Sequence, residues 1–263
     1  MEHASLMYGT LLSQLAVGTF VAGYALTRGE EHPRFRLVSL VALIAGVVGV
    51  GFFFTHLGAP ANAFNAIRNV GTSWLAREAL LYPAFLLLLV LCLLTKDGKL
   101  LRGLTALCGL ALVLTTAMIY ILPGVPAWNS AASPLSFILA AFLMGIPLAA
   151  LLLKQGGRTC ALVLGAAALL ALVVTLTQTM VPQGAEPAAA ASASLLAAAP
   201  AFRIRIGLLV IAAIAAIVVA RRGAKDATGG KPAAVPVFLL LFCLLAVSEI
   251  LGRALFFGTI VRM

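Results

Sequence analysis

The stretch LVLGAAALLALVV, residues 162–174, has no polar side chain, and FLLLLVLCLL, residues 85–94, is a second stretch of the same kind. Both are apolar at every position, without the period-two alternation that membrane β-strands show. Only helices and closed barrels pair every backbone polar group inside a lipid bilayer. The two stretches therefore predict helices that cross a membrane.

The composition of the whole protein supports the same interpretation. Of 263 residues, 63% are apolar and 10% are charged, and the mean hydropathy is +1.12. A soluble domain has roughly 25% charged residues, because it needs a polar surface towards water. We therefore expect a single polytopic membrane domain over residues 1–263, with no soluble domain.

Apolar stretches of the length that spans a bilayer, ~20 residues of helix, recur along the sequence. The first basic residue, Arg28, follows the first of them, so this stretch does not resemble a cleavable signal peptide. The sequence predicts an all-α integral membrane protein, a bundle of about eight transmembrane helices. The predicted spans are residues 5–27, 37–57, 78–95, 103–122, 134–153, 159–181, 203–220 and 236–259.

Basic residues predict the orientation of these helices. Lys and Arg are enriched in cytoplasmic loops, and most of the 18 basic residues fall in alternate connections. This distribution predicts that both termini lie outside. The formal charge of +10 then reflects the basic cytoplasmic loops and does not indicate a nucleic-acid surface. The basic residues of these connections are Arg28, Arg34, Arg36, Lys96, Lys99, Arg102, Lys154, Arg158, Arg221, Arg222, Lys225 and Lys231.

Histidine and cysteine are too few and too scattered to predict a metal site. The four cysteines stand singly in apolar spans, without the spacing of an iron–sulfur motif. A membrane haem needs axial ligands inside the bilayer, commonly a facing pair of histidines; His32 lies on the opposite predicted face from His3 and His56, and a His3–His56 pair is topologically allowed but disfavoured because His3 precedes the first span. We expect this protein to bind no metal and no redox cofactor.

The connection between the second and third predicted spans is the first candidate site. His56 ends one span and Glu78 begins the next, so a helical hairpin returns both to one face. A quinol arriving through lipid must lose two protons, and imidazole and carboxylate groups near the interface accept protons. Two simpler roles remain open: a carboxylate favoured by the helix dipole for Glu78, and a helix-end interfacial residue for His56.

Two further groups are candidates. Arg77, directly before Glu78, and Tyr120, which ends the fourth span on the same predicted face, are further candidates for binding the quinol; a role as an interface anchor is the alternative for Tyr120. Glu249 and Arg253 are four residues apart in the last span, on one helix face. Charges inside a span are costly and usually paired, which predicts an intramembrane ion pair; a proton relay and a contact with a quinone or another subunit are the alternatives.

Three motifs are the basis of a family resemblance: HLGAP and AFN at residues 56–65 with Glu78; PAW, SP, Phe137 and GIPL within residues 126–148; and EILGR with FFG within residues 249–258. Together they resemble the DmsC family, the membrane-anchor subunits of anaerobic dimethyl sulfoxide reductase. The first and third motifs carry most of the resemblance, which extends over most of the sequence. Residues 118–119, Met-Ile, depart from the family, which can carry a basic residue just before the tyrosine, and the turn after Tyr120 is shorter.

The resemblance implies a non-catalytic anchor without haem in the cytoplasmic (inner) membrane of a bacterium. Such an anchor would hold a molybdopterin catalytic subunit and an iron–sulfur subunit, oxidise menaquinol and pass the electrons to its iron–sulfur partner. It also implies that His56 and Glu78 are the quinol-site residues. The anchor of another anaerobic molybdoenzyme, of the polysulfide or tetrathionate type, is an alternative. A small transporter is a more distant alternative, because the sequence shows no convincing internal repeat.

Overall fold

The structure, a computed structural model, describes residues 4–56, 65, 68–95, 98–180, 186–225 and 235–261. Within these ranges the protein is helical and has no strand. Eight of the helices are long and apolar enough to cross a membrane, as the sequence predicts, and a shorter one, α7, lies between α6 and α8. The helices are α1 Ala4–Thr27, α2 Phe35–His56, α3 Trp74–Leu94, α4 Lys99–Ile119, α5 Ala132–Leu153, α6 Arg158–Thr177, α7 Pro187–Ala198, α8 Pro200–Lys225 and α9 Val235–Gly258.

The first helix is the centre of the bundle. α1 packs against α2, α4, α5 and α9, and α1 and α5 are the most buried of the eight long helices. Where α1 crosses α5, Gly18 lies directly against the backbone of Ala141 and Gly145. Small residues allow such close approach of membrane helices. This crossing joins two apolar cores, one made mainly by α1 to α4 and the other by α5, α6, α8 and α9.

Polar contacts between helices define one end of the bundle. Residues in the first two turns of α3, α5 and α8 contact residues in the last three turns of α4 and α9, as in the pairs Glu78 with Thr116 and Arg205 with Glu249. We call this the polar end: α1, α3, α5 and α8 begin there, and α2, α4, α6 and α9 end there. At the opposite end, Arg102 of α4 donates a hydrogen bond to the carbonyl oxygen of Glu30 (2.6 Å), within the connections that the sequence predicts to be cytoplasmic.

Candidate functional site

Glu78 lies between α3 and α4 at the polar end. It is in the second turn of α3, and its Oε1 is 2.5 Å from the hydroxyl oxygen of Thr116 on α4. The same hydroxyl oxygen is 3.0 Å from the carbonyl oxygen of Leu112. The helix dipole alone does not explain this arrangement, because the carboxylate has a specific side-chain partner on a neighbouring helix.

The hairpin of α2 and α3 brings the end of α2 to the same level as Glu78. Tyr82, one turn after Glu78, donates a buried hydrogen bond to the carbonyl oxygen of Gly46 (3.0 Å), and its ring contacts Phe53 with 5.9 Å between centroids. α2 ends at His56, one turn beyond Phe53. The side chain of His56 lies outside the described residues, so its place in the site stays a prediction.

Arg77 holds the connection that leads into α3. Its Nε donates to the carbonyl oxygen of Val70 (2.9 Å) and its Nη2 to that of Gly71 (2.8 Å). The guanidinium also stacks on the ring of Trp74, 4.2 Å from the centroid, and Ser73 caps the helix by accepting from the N–H of Ala76. In this arrangement Arg77 fixes the segment before Glu78.

Tyr120 lies inside an aromatic cluster at the polar end. Its ring is buried and stacks on Phe137 (4.8 Å between centroids, 29°), and it makes edge contacts with Trp128, Phe256 and Phe257. The indole N–H of Trp128 donates to the carbonyl oxygen of Phe256 (3.0 Å). Tyr120 and Trp128 are therefore parts of the packed interior of the protein and do not anchor a helix at the lipid headgroups.

The predicted charges of α9 belong to a second polar group on the other side of this cluster. Glu249 forms its ion pair with Arg205 of α8 (Nη2 to Oε1, 3.3 Å). Arg253 donates to Oε1 of Gln14 on α1 (2.9 Å) and lies over the ring of Phe137, 3.6 Å from the centroid. Glu249 and Arg253 thus lie in one buried group, but the ion-pair partner that the structure gives Glu249 is Arg205.

Thr116, Gln14 and Arg205 were not candidates from the sequence. A threonine in an apolar span commonly bonds its own helix backbone and gives no signal. Arg205, near the start of α8, could be counted as a topological charge. Gln14 offered the clearest clue, because it is an amide in the middle of an apolar span, where an unpaired polar group is costly.

The comparisons with known proteins agree with the motif resemblance. The family model described as "DMSO reductase anchor subunit (DmsC)" matches residues 1–259. The chain belongs to the DmsC family. It is similar to one of the chains of the anaerobic dimethyl sulfoxide reductase of Escherichia coli, with 32% identity covering 96% of this protein and 93% of the relative.

Two other similarities extend over shorter segments of this DmsC-family protein. The corresponding anaerobic dimethyl sulfoxide reductase chain of Haemophilus influenzae is 29% identical, with 56% of this protein and 57% of the relative covered. One subunit of the sulfite dehydrogenase of Allochromatium vinosum is 34% identical, with 37% and 36% covered. Membership of the family and the eight apolar helices identify a multi-pass membrane protein. Among the residues that the structure describes, no group of three or more His, Cys, Asp or Glu side chains could hold a metal ion.

Proposed function

We propose that this chain is the membrane anchor of a molybdopterin oxidoreductase of the DMSO reductase type in a bacterial inner membrane. We further propose that it oxidises menaquinol and passes the electrons to an iron–sulfur subunit. The single observation that carries the quinol proposal is the contact between Glu78 and Thr116. It is a carboxylate with a dedicated hydroxyl partner, between two helices and about one helical turn from the end of the bundle.

This contact suits a group that gains and loses a proton. The carboxylate accepts a hydrogen bond from the hydroxyl of Thr116. Once Glu78 is protonated, its own O–H donates to Thr116 Oγ1, and the threonine hydroxyl turns to donate to the carbonyl oxygen of Leu112, which is 3.0 Å away. A hydroxyl is both donor and acceptor, so Glu78 has a partner in either state.

The quinol would enter laterally from the lipid and place one hydroxyl against Glu78 and the other towards His56. Each menaquinol gives up two electrons and two protons and becomes menaquinone. The electrons leave to an iron–sulfur cluster of the partner subunit, and the protons leave to water at the polar end through Glu78 and His56. Arg77 orders the connection beside the site through its bonds to Val70 and Gly71, and the aromatic cluster around Tyr120 limits the site on its inner side.

The similarity to a sulfite dehydrogenase subunit supports a second candidate. In this second candidate function, the chain would anchor another molybdoenzyme, of the sulfite, polysulfide or tetrathionate type. The same quinone site would then serve a different catalytic subunit. Assays of the purified complex with dimethyl sulfoxide, tetrathionate, polysulfide and sulfite distinguish the two candidates.

Glu78→Gln in the assembled complex tests the site. General acid–base groups contribute typically 10²–10⁴-fold, and we expect quinol oxidation to fall by about a hundredfold or more. The partner subunits should remain membrane-bound. The matched control is Glu186→Gln, the same change at an exposed residue before α7, which should leave the rate unchanged.

Binding is measured separately with a quinol-site inhibitor whose fluorescence is quenched when it binds. Quenching that is stoichiometric in the wild type and lost in Glu78→Gln would support the site. Normal quinol oxidation by Glu78→Gln would rule out its role, and loss of the partner subunits from the membrane would show instead that Glu78 is structural.

A further inference from the structure

The second polar group carries more positive than negative charge inside the bundle. Arg205, Arg253 and Glu249 have relative exposures of 8%, 4% and 3%. In the described part of the chain, Glu249 is the acid that the structure records in contact with a guanidinium of this group, through its ion pair with Arg205. Arginine stays protonated in proteins, so two cations and one anion leave a net charge of +1.

An uncompensated charge in this position is expensive. Even a paired charge inside a protein loses most of its hydration, and removing the pairing leaves an uncompensated buried charge that is strongly destabilising. The amide of Gln14 offers Arg253 a dipole but no negative charge. Charges within membrane spans are normally paired, so the group is one negative charge short.

The unpaired atoms of the group are hydrogen-bond donors. Nε of Arg205 and Nε of Arg253 are buried without a partner, and so is Nε2 of Gln14, the amide that contacts Arg253. All three atoms can only donate. Buried polar groups are nearly always satisfied, so the missing partner must be an acceptor.

A small cavity lies where such an acceptor would sit. It has a volume of about 10 Å³ and is lined by both arginines, Glu249 and Gly252, which gives room for about one water-sized particle. Its other lining residues, Ser136, Gln178 and Phe256, are partly exposed, so the cavity is not sealed from the polar end.

Gly252 is what allows the arginine to line this cavity. The guanidinium of Arg205 occupies the place that a β-carbon on Gly252 would take. Any larger residue at this position would push Arg205 away from both Glu249 and the cavity. The absence of a side chain at Gly252 therefore gives the buried guanidinium of Arg205 its place against α9.

We propose that this cavity binds one small monovalent anion of halide size, such as chloride, between Arg205 and Arg253. Such an ion brings the charge of the group to zero and supplies the acceptor that the two Nε–H groups lack. A water molecule fits the space but leaves the charge uncompensated. A halide is larger than a water molecule, so its entry requires the partly exposed side chains of Ser136, Gln178 or Phe256 to move aside. The site is separate from Glu78 and does not depend on quinol oxidation.

The first test uses the full-length wild-type protein, purified in detergent, in chloride-free gluconate buffer. Chloride or bromide is then added at constant ionic strength. A ligand that binds only the folded state raises the melting temperature in step with its concentration. We expect chloride and bromide to do so while gluconate does not. Equilibrium binding of radioactive chloride should give about one ion per chain, displaced by bromide.

Variants assign the ion to this cavity. Arg253→Gln removes one positive charge, so the bound chloride and the chloride-dependent rise in melting temperature should both disappear. Glu249→Gln adds to the excess of positive charge and should tighten chloride binding. Gly252→Ala displaces Arg205 and should weaken binding at least tenfold, while Gly207→Ala, the same change on α8 where nothing lies within 4 Å, should bind as the wild type does.

The proposal fails if wild-type protein binds no chloride and melts at the same temperature in chloride and gluconate, since the cavity would then hold water only. It also fails if Arg253→Gln binds chloride as well as the wild type does. The wild-type measurements decide the first point even if a variant does not fold.

Discussion

At the scale of single residues, the hydroxyl of Thr116 is as informative as the carboxylate it contacts. It lies 2.5 Å from Glu78 Oε1 and 3.0 Å from its own helix backbone at Leu112. Most threonines in membrane helices make only the second kind of contact, as Thr10 and Thr175 do here. Thr105 also contacts another helix, at the sulfur of Cys92 (3.4 Å), but the partner of Thr116 is a carboxylate.

Replacing Thr116 with Val should slow quinol oxidation by about tenfold or more while leaving the anchor assembled. Valine keeps the shape but removes the hydroxyl that stabilises the carboxylate form of Glu78, which is the form that accepts a proton in the proposed mechanism. A hydrogen bond to a charged group is worth ~1.5–3 kcal/mol, and ~1.4 kcal/mol is a factor of ten in rate. Thr116→Ser retains the hydroxyl and is the control. Equal rates for the two variants, measured with a soluble quinol analogue, would count against the role of Thr116.

Whether the sequence identifies a site residue depends on how unusual that residue type is inside a membrane span. A carboxylate or guanidinium in an apolar span is conspicuous, and Glu78, Glu249 and Arg253 could be selected for this reason. The contact partner of such a residue cannot be identified in the same way. The spacing of Glu249 and Arg253 favours a pair on one helix, whereas the structure records Arg205, from another helix, as the ion-pair partner. Sequence spacing cannot predict such a contact.

At the scale of the elements, the eight spans are predictable because each must bury its backbone over the thickness of a bilayer. The helix boundaries in the structure differ from the predicted span boundaries where a helix continues past its apolar part. α4 begins at Lys99, four residues before the predicted span, and α8 runs from Pro200 to Lys225, beyond the predicted 203–220. Long basic side chains can extend from helix ends towards water, so a helix need not stop where hydrophobicity does.

The close packing of α1 against α5 makes the stability of the protein sensitive to the addition of a single methyl group at their crossing. Gly18→Ala would place a methyl group against the backbone carbonyl of Ala141, and a backbone cannot move aside as a flexible side chain can. Overpacking typically costs ~1–3 kcal/mol, and we expect a lower yield of folded protein and a lower melting temperature in detergent. Gly51→Ala, in α2 with nothing within 4 Å, is the matched control. If the two variants melt alike, the α1–α5 crossing is looser than the structure indicates.

At the scale of the whole molecule, the two polar sites share one end of the bundle. Glu78 lies between α3 and α4, the group around Arg205 lies between α1, α8 and α9, and the aromatic cluster of Tyr120 separates them. The sequence places all of these residues on one face by counting spans. It does not reveal that α1 lies at the centre and joins the two halves, since apolar residues alone do not specify which helices become neighbours.

The side of the membrane that this end faces follows from the basic connections and is testable in intact cells. We predict that the polar end faces outwards, because twelve of the 18 basic residues lie in the connections that alternate with the polar-end loops. Glu186, before α7, and Gln155, between α5 and α6, are both exposed and lie at opposite ends of α6. Each is replaced by Cys in a protein from which the four natural cysteines have been removed.

A thiol reagent that does not cross membranes should label Glu186→Cys in intact spheroplasts and Gln155→Cys only after the membrane is opened.

The opposite labelling pattern would mean that the polar end faces the cytoplasm. Under the proposed mechanism, protons from Glu78 would then be released on the cytoplasmic side. Equal labelling of both variants before and after opening would mean that the reagent entered the cell, and a cytoplasmic protein with an exposed cysteine detects this directly. If the proposed quinol oxidation takes place, orientation therefore decides which compartment receives the protons of the quinol, and with it whether the reaction contributes to a proton gradient.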